Sequence, residues 1–163
     1  MDRKLPVILM VILIFILSAC RCKSGRTEQS KGKTVYDSLK AKKYGADKYG
    51  MKKYVMAFLK KGPNRNLDSA QSAKLQMAHL KNIIRMANEG KLVLAGPFLD
   101  DGNLRGIYIF NFSTIEEAKK LAESDPAIKA GSLTMELKEW YGSAALMEVN
   151  KIHKSLSKVE IVK

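Results

Sequence analysis

Hydrophobic residues after position 50 follow two alternating periods, which predict strands and helices in turn. An apolar run over residues 54–59, closed by Gly62-Pro63, is typical of a buried strand. From residue 68 to residue 89 the apolar spacing becomes helical, with Asp68 as N-cap and Gly90 as the stop. The stripe expected to face the core consists of Ala73, Met77, Leu80, Ile84 and Ala87.

The second half of this region repeats the strand and helix signals. Residues 92–95 and 106–112 are predicted strands, joined through Asp-Asp-Gly-Asn turn chemistry at 100–103. Ser113 or Thr114 then caps a second helix, and residues 132–140 alternate as a last strand. The order β-α-β-β-α-β predicts an α+β, ferredoxin-like fold with an antiparallel four-stranded sheet and helices on one face. The other face is left bare, so we expect a partner to cover it.

The N-terminus has the order of a secretory signal peptide. Asp2, Arg3 and Lys4 precede about 13 apolar residues, and these end in the tetrapeptide Leu-Ser-Ala-Cys at 17–20. A membrane-spanning helix needs roughly 20 apolar residues, which disfavours an uncleaved anchor. The tetrapeptide resembles a bacterial lipobox, which implies that Cys20 becomes the lipidated first residue of the mature chain. The alternative is an ordinary signal peptide followed by a chance cysteine.

Positive charge dominates the chain, with 29 Lys and Arg against 16 Asp and Glu and a net charge of +13. Much of the excess lies in residues 20–50, which we interpret as a flexible basic tether attracted to anionic lipid head groups. The expected organisation is a signal peptide at 1–19, this tether at 20–50, a folded domain at 51–149 and a basic polar tail at 150–163. Because the charge is peripheral, it argues against nucleic-acid binding. The protein is expected on the outer or periplasmic side of a bacterial membrane.

An ordered set of residues in the folded region resembles the YCII-related domain family, of the dimeric α/β-barrel superfamily. The set comprises His79-Leu80, Gly90, Leu92, Ala95-Gly96-Pro97-Phe98, Asp125-Pro126, Ala130-Gly131 and Trp140. The resemblance covers about residues 52–140. It implies a homodimer with two sheets packed face to face, and a small-molecule pocket with a His-Asp pair, carried here by His79 and Asp125. One family member is similar to a dehydrochlorinase. Ala127 stands where the family often has an aromatic residue.

The candidate site residues have both chemical and structural interpretations. His79 lies on the shoulder of the predicted stripe, where an imidazole can transfer protons, and Asp125 would orient it. A helical His also serves as a packing residue, and Asp before Pro is a common N-cap with N1 proline. Gly96 and Pro97 would shape the pocket or simply end a strand. Trp140 would wall the pocket or pack in the core or dimer interface.

Motifs for other chemistry are missing from the sequence. Two cysteines and two histidines provide no zinc-site spacing, and we find no phosphate-binding loop, nucleophile elbow or HExxH. We therefore expect no metal and no cofactor. Two functions remain open: a cofactor-free lyase, isomerase or hydrolase using His79 and Asp125, or a non-catalytic ligand-binding or scaffolding module at the cell envelope.

Overall fold

The computed structural model describes residues 35–159 and 161–162. The predicted signal peptide, Cys20 and the first part of the predicted tether lie outside the described residues. In chain order the elements are α1 (Ser38–Tyr44), β1 (Met51–Lys61), α2 (Ser69–Asn88), β2 (Leu92–Pro97), β3 (Leu104–Phe110), α3 (Ile115–Ala122), α4 (Pro126–Lys129), β4 (Leu133–Ser143), a 3₁₀ helix (Ala144–Glu148) and α5 (Val149–Leu156).

The four strands form one antiparallel sheet in the order β2-β3-β1-β4. The central strand β1 pairs with β3 on one side and with β4 on the other, so that Val55 lies opposite Phe110 and Tyr54 opposite Trp140. This order of strands and helices confirms the predicted ferredoxin-like α+β fold. Because side chains alternate along a strand, Tyr54 and Val55 face opposite sides of the sheet.

The helical side of the sheet carries the larger core. Val55, Tyr108 and Phe110 are fully buried there, and Met86 of α2 and Ala118 of α3 pack against them. Each large apolar side chain buried in this way contributes about 1.5–3 kcal/mol to folding. The two main helices are therefore held to the sheet by hydrophobic contact.

The other side of the sheet is partly covered by the chain itself. Tyr54, Val93 and Ile109 form a second buried cluster, and Leu146 and Met147 of the 3₁₀ helix pack against it. The sequence led us to expect this face to be wholly bare. It is covered at one end because β4 continues to Ser143, beyond the predicted end at Trp140, and delivers the 3₁₀ helix to it.

Helix α2 has the predicted ends but a different buried face. The Asp68 carboxylate accepts a hydrogen bond from the Gln71 amide at 2.8 Å, and the Gln71 side-chain oxygen accepts one from the Asp68 amide at 3.2 Å, which forms a capping box. The buried residues are His79, Asn82 and Met86, whereas Met77 is 43% exposed and Ile84 36% exposed. The predicted stripe was wrong: His79 lies at the centre of the buried face, not on its shoulder.

Residues 37–50 differ from the flexible tether expected there. Asp37 caps α1 by accepting from the Lys40 amide at 2.9 Å, and Gly45 ends the helix with a φ of 66°.

At the other end of the chain, α5 occupies much of the expected polar tail. Among the described residues no helix is long and apolar enough to cross a membrane.

Candidate functional site

His79 and Asp125 meet on the helical side of the sheet. The Nδ1 atom of His79 lies 2.8 Å and 3.0 Å from the two carboxylate oxygens of Asp125, although 46 residues separate them in the chain. His79 is 8% exposed and Asp125 is 0% exposed. The structure thus brings together the two residues that the sequence nominated, while their catalytic role stays a prediction.

The side chain of Asp125 has two structural roles. It is the N-cap of α4, with Pro126 at the first helical position, and its Oδ1 atom accepts a hydrogen bond from the Ala127 amide at 2.8 Å. The same carboxylate contacts His79. The structural and the chemical interpretations of Asp125 therefore describe one geometry: the cap fixes the carboxylate that orients the imidazole.

Two residues that the sequence analysis missed complete the network. Asn82 donates from Nδ2 to Oδ2 of Asp125 at 3.1 Å, and the Tyr108 hydroxyl donates to the same oxygen at 3.2 Å. Arg85 donates to the Asn82 side-chain oxygen at 2.8 Å, which fixes the direction of that amide. Asn82 follows His79 by three residues on the same helical face, and Tyr108 occupies an inward position of β3, so each had a usable signal in its spacing.

The network controls the charge of Asp125. Burial by itself would raise the pKa of this carboxyl, but hydrogen bonding and Coulomb attraction to His79, with donation from Ala127 and Asn82, together lower the pKa below its usual value. Asp125 is thus a carboxylate at neutral pH. Burial, and then the adjacent Asp125 charge, raise the pKa of Tyr108 far above its usual value, so Tyr108 acts as a neutral hydrogen-bond donor.

The His79 ring borders a cavity of about 320 Å³ between α2 and the ends of β2 and β3. Gly96, Pro97 and Arg105 line it together with Tyr108. The remaining lining residues are Leu59, Gln76, Leu80, Ile83, Ala95, Gly106, Leu133 and Ile161. We call this space the His79 cavity. Its walls are mainly apolar, and the polar groups lie at separate points along them.

Nε2 of His79 is the ring nitrogen that the Asp125 carboxylate does not contact. Asp125 contacts Nδ1, whereas Nε2 has a long hydrogen-bonding contact with the Tyr108 hydroxyl, at 3.4 Å. A carboxylate on Nδ1 holds that nitrogen protonated and leaves the lone pair on Nε2. This is the arrangement of a proton-transfer group with an orienting carboxylate.

The other sequence-nominated residues separate into two groups. Gly96 and Pro97 line the His79 cavity, and their role in substrate binding stays a prediction. Trp140 does not: it packs against Tyr54, with ring centroids 5.8 Å apart, in the cluster on the opposite sheet face. The alternation of side chains along β4 decides this, because Trp140 pairs with Tyr54 and points the same way.

In the part of the chain that the structure describes, no cluster of three or more His, Cys, Asp or Glu can hold a metal ion.

Comparisons with known proteins give matches to a family model, to a curated protein and to a solved structure. The model of the YCII-related domain family matches residues 53–150. The uncharacterized protein YjpA of Bacillus subtilis (strain 168) is 32% identical over 62 residues, which make up 38% of this chain and 71% of YjpA. Among solved structures, a match is the 5-chloro-2-hydroxyhydroquinone dehydrochlorinase TftG from Burkholderia phenoliruptrix AC1100, in complex with 2,5-dihydroxybenzoquinone. It has 21% identity and a TM-score of 0.41, over 53% of this chain and 92% of that one.

The family match covers more than half of the chain and includes β2 to β4, the helices between the strands and all of β1 after its first two residues. It also includes His79, Asp125 and every other residue of their hydrogen-bonding network. The chain therefore belongs to the YCII-related domain family.

Proposed function

We propose that the protein is a small-molecule enzyme in which His79 transfers a proton without a cofactor, in a lyase, isomerase or hydrolase reaction. The observation that carries this proposal is the 2.8 Å contact from Nδ1 of His79 to Asp125. The same histidine lines a cavity. A buried, oriented imidazole with one nitrogen left for a ligand is the geometry that general acid-base catalysis needs.

The proton follows a short route in this proposal. Nε2 of His79 takes a proton from a carbon or oxygen of the bound molecule or, in a hydrolysis, from the water that attacks that molecule, and the imidazolium that forms is stabilised by the Asp125 carboxylate. The proton then returns to the leaving group or to another atom of the same molecule. Tyr108 and Asn82 hold the carboxylate in place through their hydrogen bonds at 3.2 Å and 3.1 Å.

The test is proton exchange in D₂O, followed by NMR with a panel of small carbonyl compounds that carry acidic C–H groups. We expect the wild-type chain to exchange at least one of them, and His79→Gln to lower the rate about 10²- to 10⁴-fold. His153→Gln changes the other histidine of the chain, which lies exposed on α5, and is expected to leave the rate unchanged. Equal rates for His79→Gln and wild type would overturn the proposal.

The second candidate function is a non-catalytic ligand-binding or scaffolding module. One observation in its favour is the low exposure of His79, at 8%. Another is that four donors bind Asp125, because these hydrogen bonds would also hold α2 against α4 without any catalytic role. No exchange with any compound of the panel, combined with binding of those compounds in the His79 cavity by NMR, would favour this function.

We also propose that the protein is a lipoprotein of the cell envelope, attached to the bilayer through Cys20. The support is the Leu-Ser-Ala-Cys sequence at 17–20 behind an apolar segment. Mass spectrometry of the chain from its native host should detect acyl groups on Cys20 and lose them in Cys20→Ala, while Cys22→Ala retains them. An unacylated Cys20 in the wild-type chain would refute the attachment.

A further inference from the structure

A second cavity, of about 200 Å³, adjoins the His79 cavity. The two spaces share Gln76, Arg105 and Leu133 in their walls. The second cavity adds Arg65 and Ser132, and we call it the arginine cavity. Arg105 therefore borders the space that His79 lines and also the space beside it.

Both arginines of this cavity lack an acidic partner. Within the described residues no carboxylate lies within 4.0 Å of the Arg65 or Arg105 guanidinium, whereas Arg85 pairs with Glu89 at 2.7 Å. Arg105 donates to the backbone carbonyls of Asp100, at 3.0 Å, and Gly102.

Arg65 makes hydrogen bonds of the same kind. It donates to the carbonyls of Asn64, at 3.0 Å, and Ser132. Backbone carbonyls orient a guanidinium without neutralising it, so two positive charges border one small cavity.

The negative charge of Asp125 is already paired with His79 and does not neutralise the two arginines. The Asp125 carboxylate is fully buried and pairs with His79, and neither residue lines the arginine cavity. A guanidinium matches a carboxylate or phosphate in geometry and binds it through two parallel hydrogen bonds. Leu80 and Leu133 contribute apolar wall to the His79 cavity, and Leu133 also lines the arginine cavity.

We propose that the substrate class of this site is a small organic anion: an acidic group held by Arg65 and Arg105, on an apolar body that reaches His79. The inference rests on the proposed function only for the assignment of His79 as the reacting end. The recognition of the anion follows from the two unneutralised guanidiniums and from the three wall residues that the two cavities share.

The probe for this inference is benzoate, compared with benzyl alcohol, which has a similar ring but no charge. Isothermal titration calorimetry on the full-length chain in detergent should show benzoate binding at least about tenfold more tightly, since a charge-assisted hydrogen bond contributes on that scale. The affinity for benzoate should fall as salt is added, while the affinity for benzyl alcohol stays constant.

Two variants test the arginines separately. Arg65→Gln and Arg105→Gln should each weaken benzoate binding about tenfold and leave benzyl alcohol binding as in the wild type, which also verifies that each variant is folded. Lys120→Gln removes the same charge from an exposed position on α3, and should bind benzoate like the wild type. Arg65 is exposed, so its replacement tests the inference even if Arg105→Gln does not fold.

The outcomes separate this inference from the proposed catalysis. Equal affinity for the two probes, or full benzoate affinity in both arginine variants, overturns the anion site whatever His79 does. Arginine-dependent benzoate binding that persists in His79→Gln supports the anion site, even if the exchange experiment finds no proton transfer.

Discussion

At the scale of single residues, Asp125 connects the stability of the site with its chemistry. Its side chain caps α4 and at the same time accepts from His79, Asn82 and Tyr108. A carboxylate can satisfy all these donors because it has two oxygens and about four acceptor positions. Replacing it with an amide keeps the size but removes the charge and part of the acceptor capacity.

We expect Asp125→Asn to lower the free energy of unfolding at pH 7 by about 1–3 kcal/mol, because buried donors lose their partner. The folded-state pKa of Asp125 is lowered relative to the unfolded value of about 3.9, so its contribution is fully present above about pH 5 and is lost as the pH falls. The difference between variant and wild type should therefore shrink from pH 5 towards pH 2.

Urea denaturation at several pH values measures this difference. Asp101→Asn, in the exposed loop between β2 and β3, is the matched control and should change stability little at any pH. A deficit of Asp125→Asn that stays the same from pH 7 to pH 2 would contradict the assigned ionisation.

At the scale of elements, the contact between β2 and β3 depends on a missing side chain. A Cβ atom on Gly106 would lie 2.6 Å from the Gly96 carbonyl oxygen and 3.2 Å from Cα of Pro97. Both of those atoms belong to backbone, which cannot rotate away. A Cβ atom on Gly96 would meet no atom within 4 Å. Of these two glycines, which line the same cavity, only Gly96 has space for a Cβ atom.

We expect Gly106→Ala to lower the free energy of unfolding by about 1–3 kcal/mol through overpacking, and Gly96→Ala to leave it nearly unchanged. Thermal or urea unfolding of both variants measures the contrast. Equal stability losses would show that the spacing of β2 and β3 is not what Gly106 maintains.

At the scale of the whole molecule, the open part of the second sheet face points to self-association. Leu146 and Met147 cover the end near Tyr54, whereas Met56 and Phe58, on the same side of β1, are only half-buried. Apolar area left in this way favours a partner, and two copies of the face can pack on each other as the sheets of a dimer.

We expect the chain from residue 35 onward to be a dimer by light scattering, and Phe58→Lys to shift it to a monomer, because a charge would be buried between the sheets. Leu99→Lys, in a loop position that is 98% exposed, is the control and should stay dimeric. A wild-type monomer at micromolar concentration would refute the dimer and show that the C-terminal elements suffice to cover the face.

Much of the fold could be predicted from the sequence because its signals are local. The caps Asp68 and Thr114, the stop at Gly90 and the alternation along β4 each act within a few residues, and the structure has them where they were expected. Element order then left few topologies open, and the predicted sheet is the observed one.

The site could be predicted only in part, because its decisive contacts are tertiary. The sequence nominated His79 and Asp125 through a family pattern, but the rotation of α2 about its axis was wrong, since polarity alone places Met77 and Ile84 inside and His79 at the edge. The buried polar network reverses this, because Asp125 satisfies His79 and Asn82 only when both face the sheet.

What the sequence determined by itself was the set of elements and their order, through hydrophobic period and capping chemistry. Only the tertiary structure decided which residues share a cavity: it brings Arg65 and Arg105 to one space, places His79 beside it, and turns Trp140 to the far face of the sheet. The physical reason is that helix rotation and strand register are fixed by contacts between residues far apart in the chain, which a local pattern does not record.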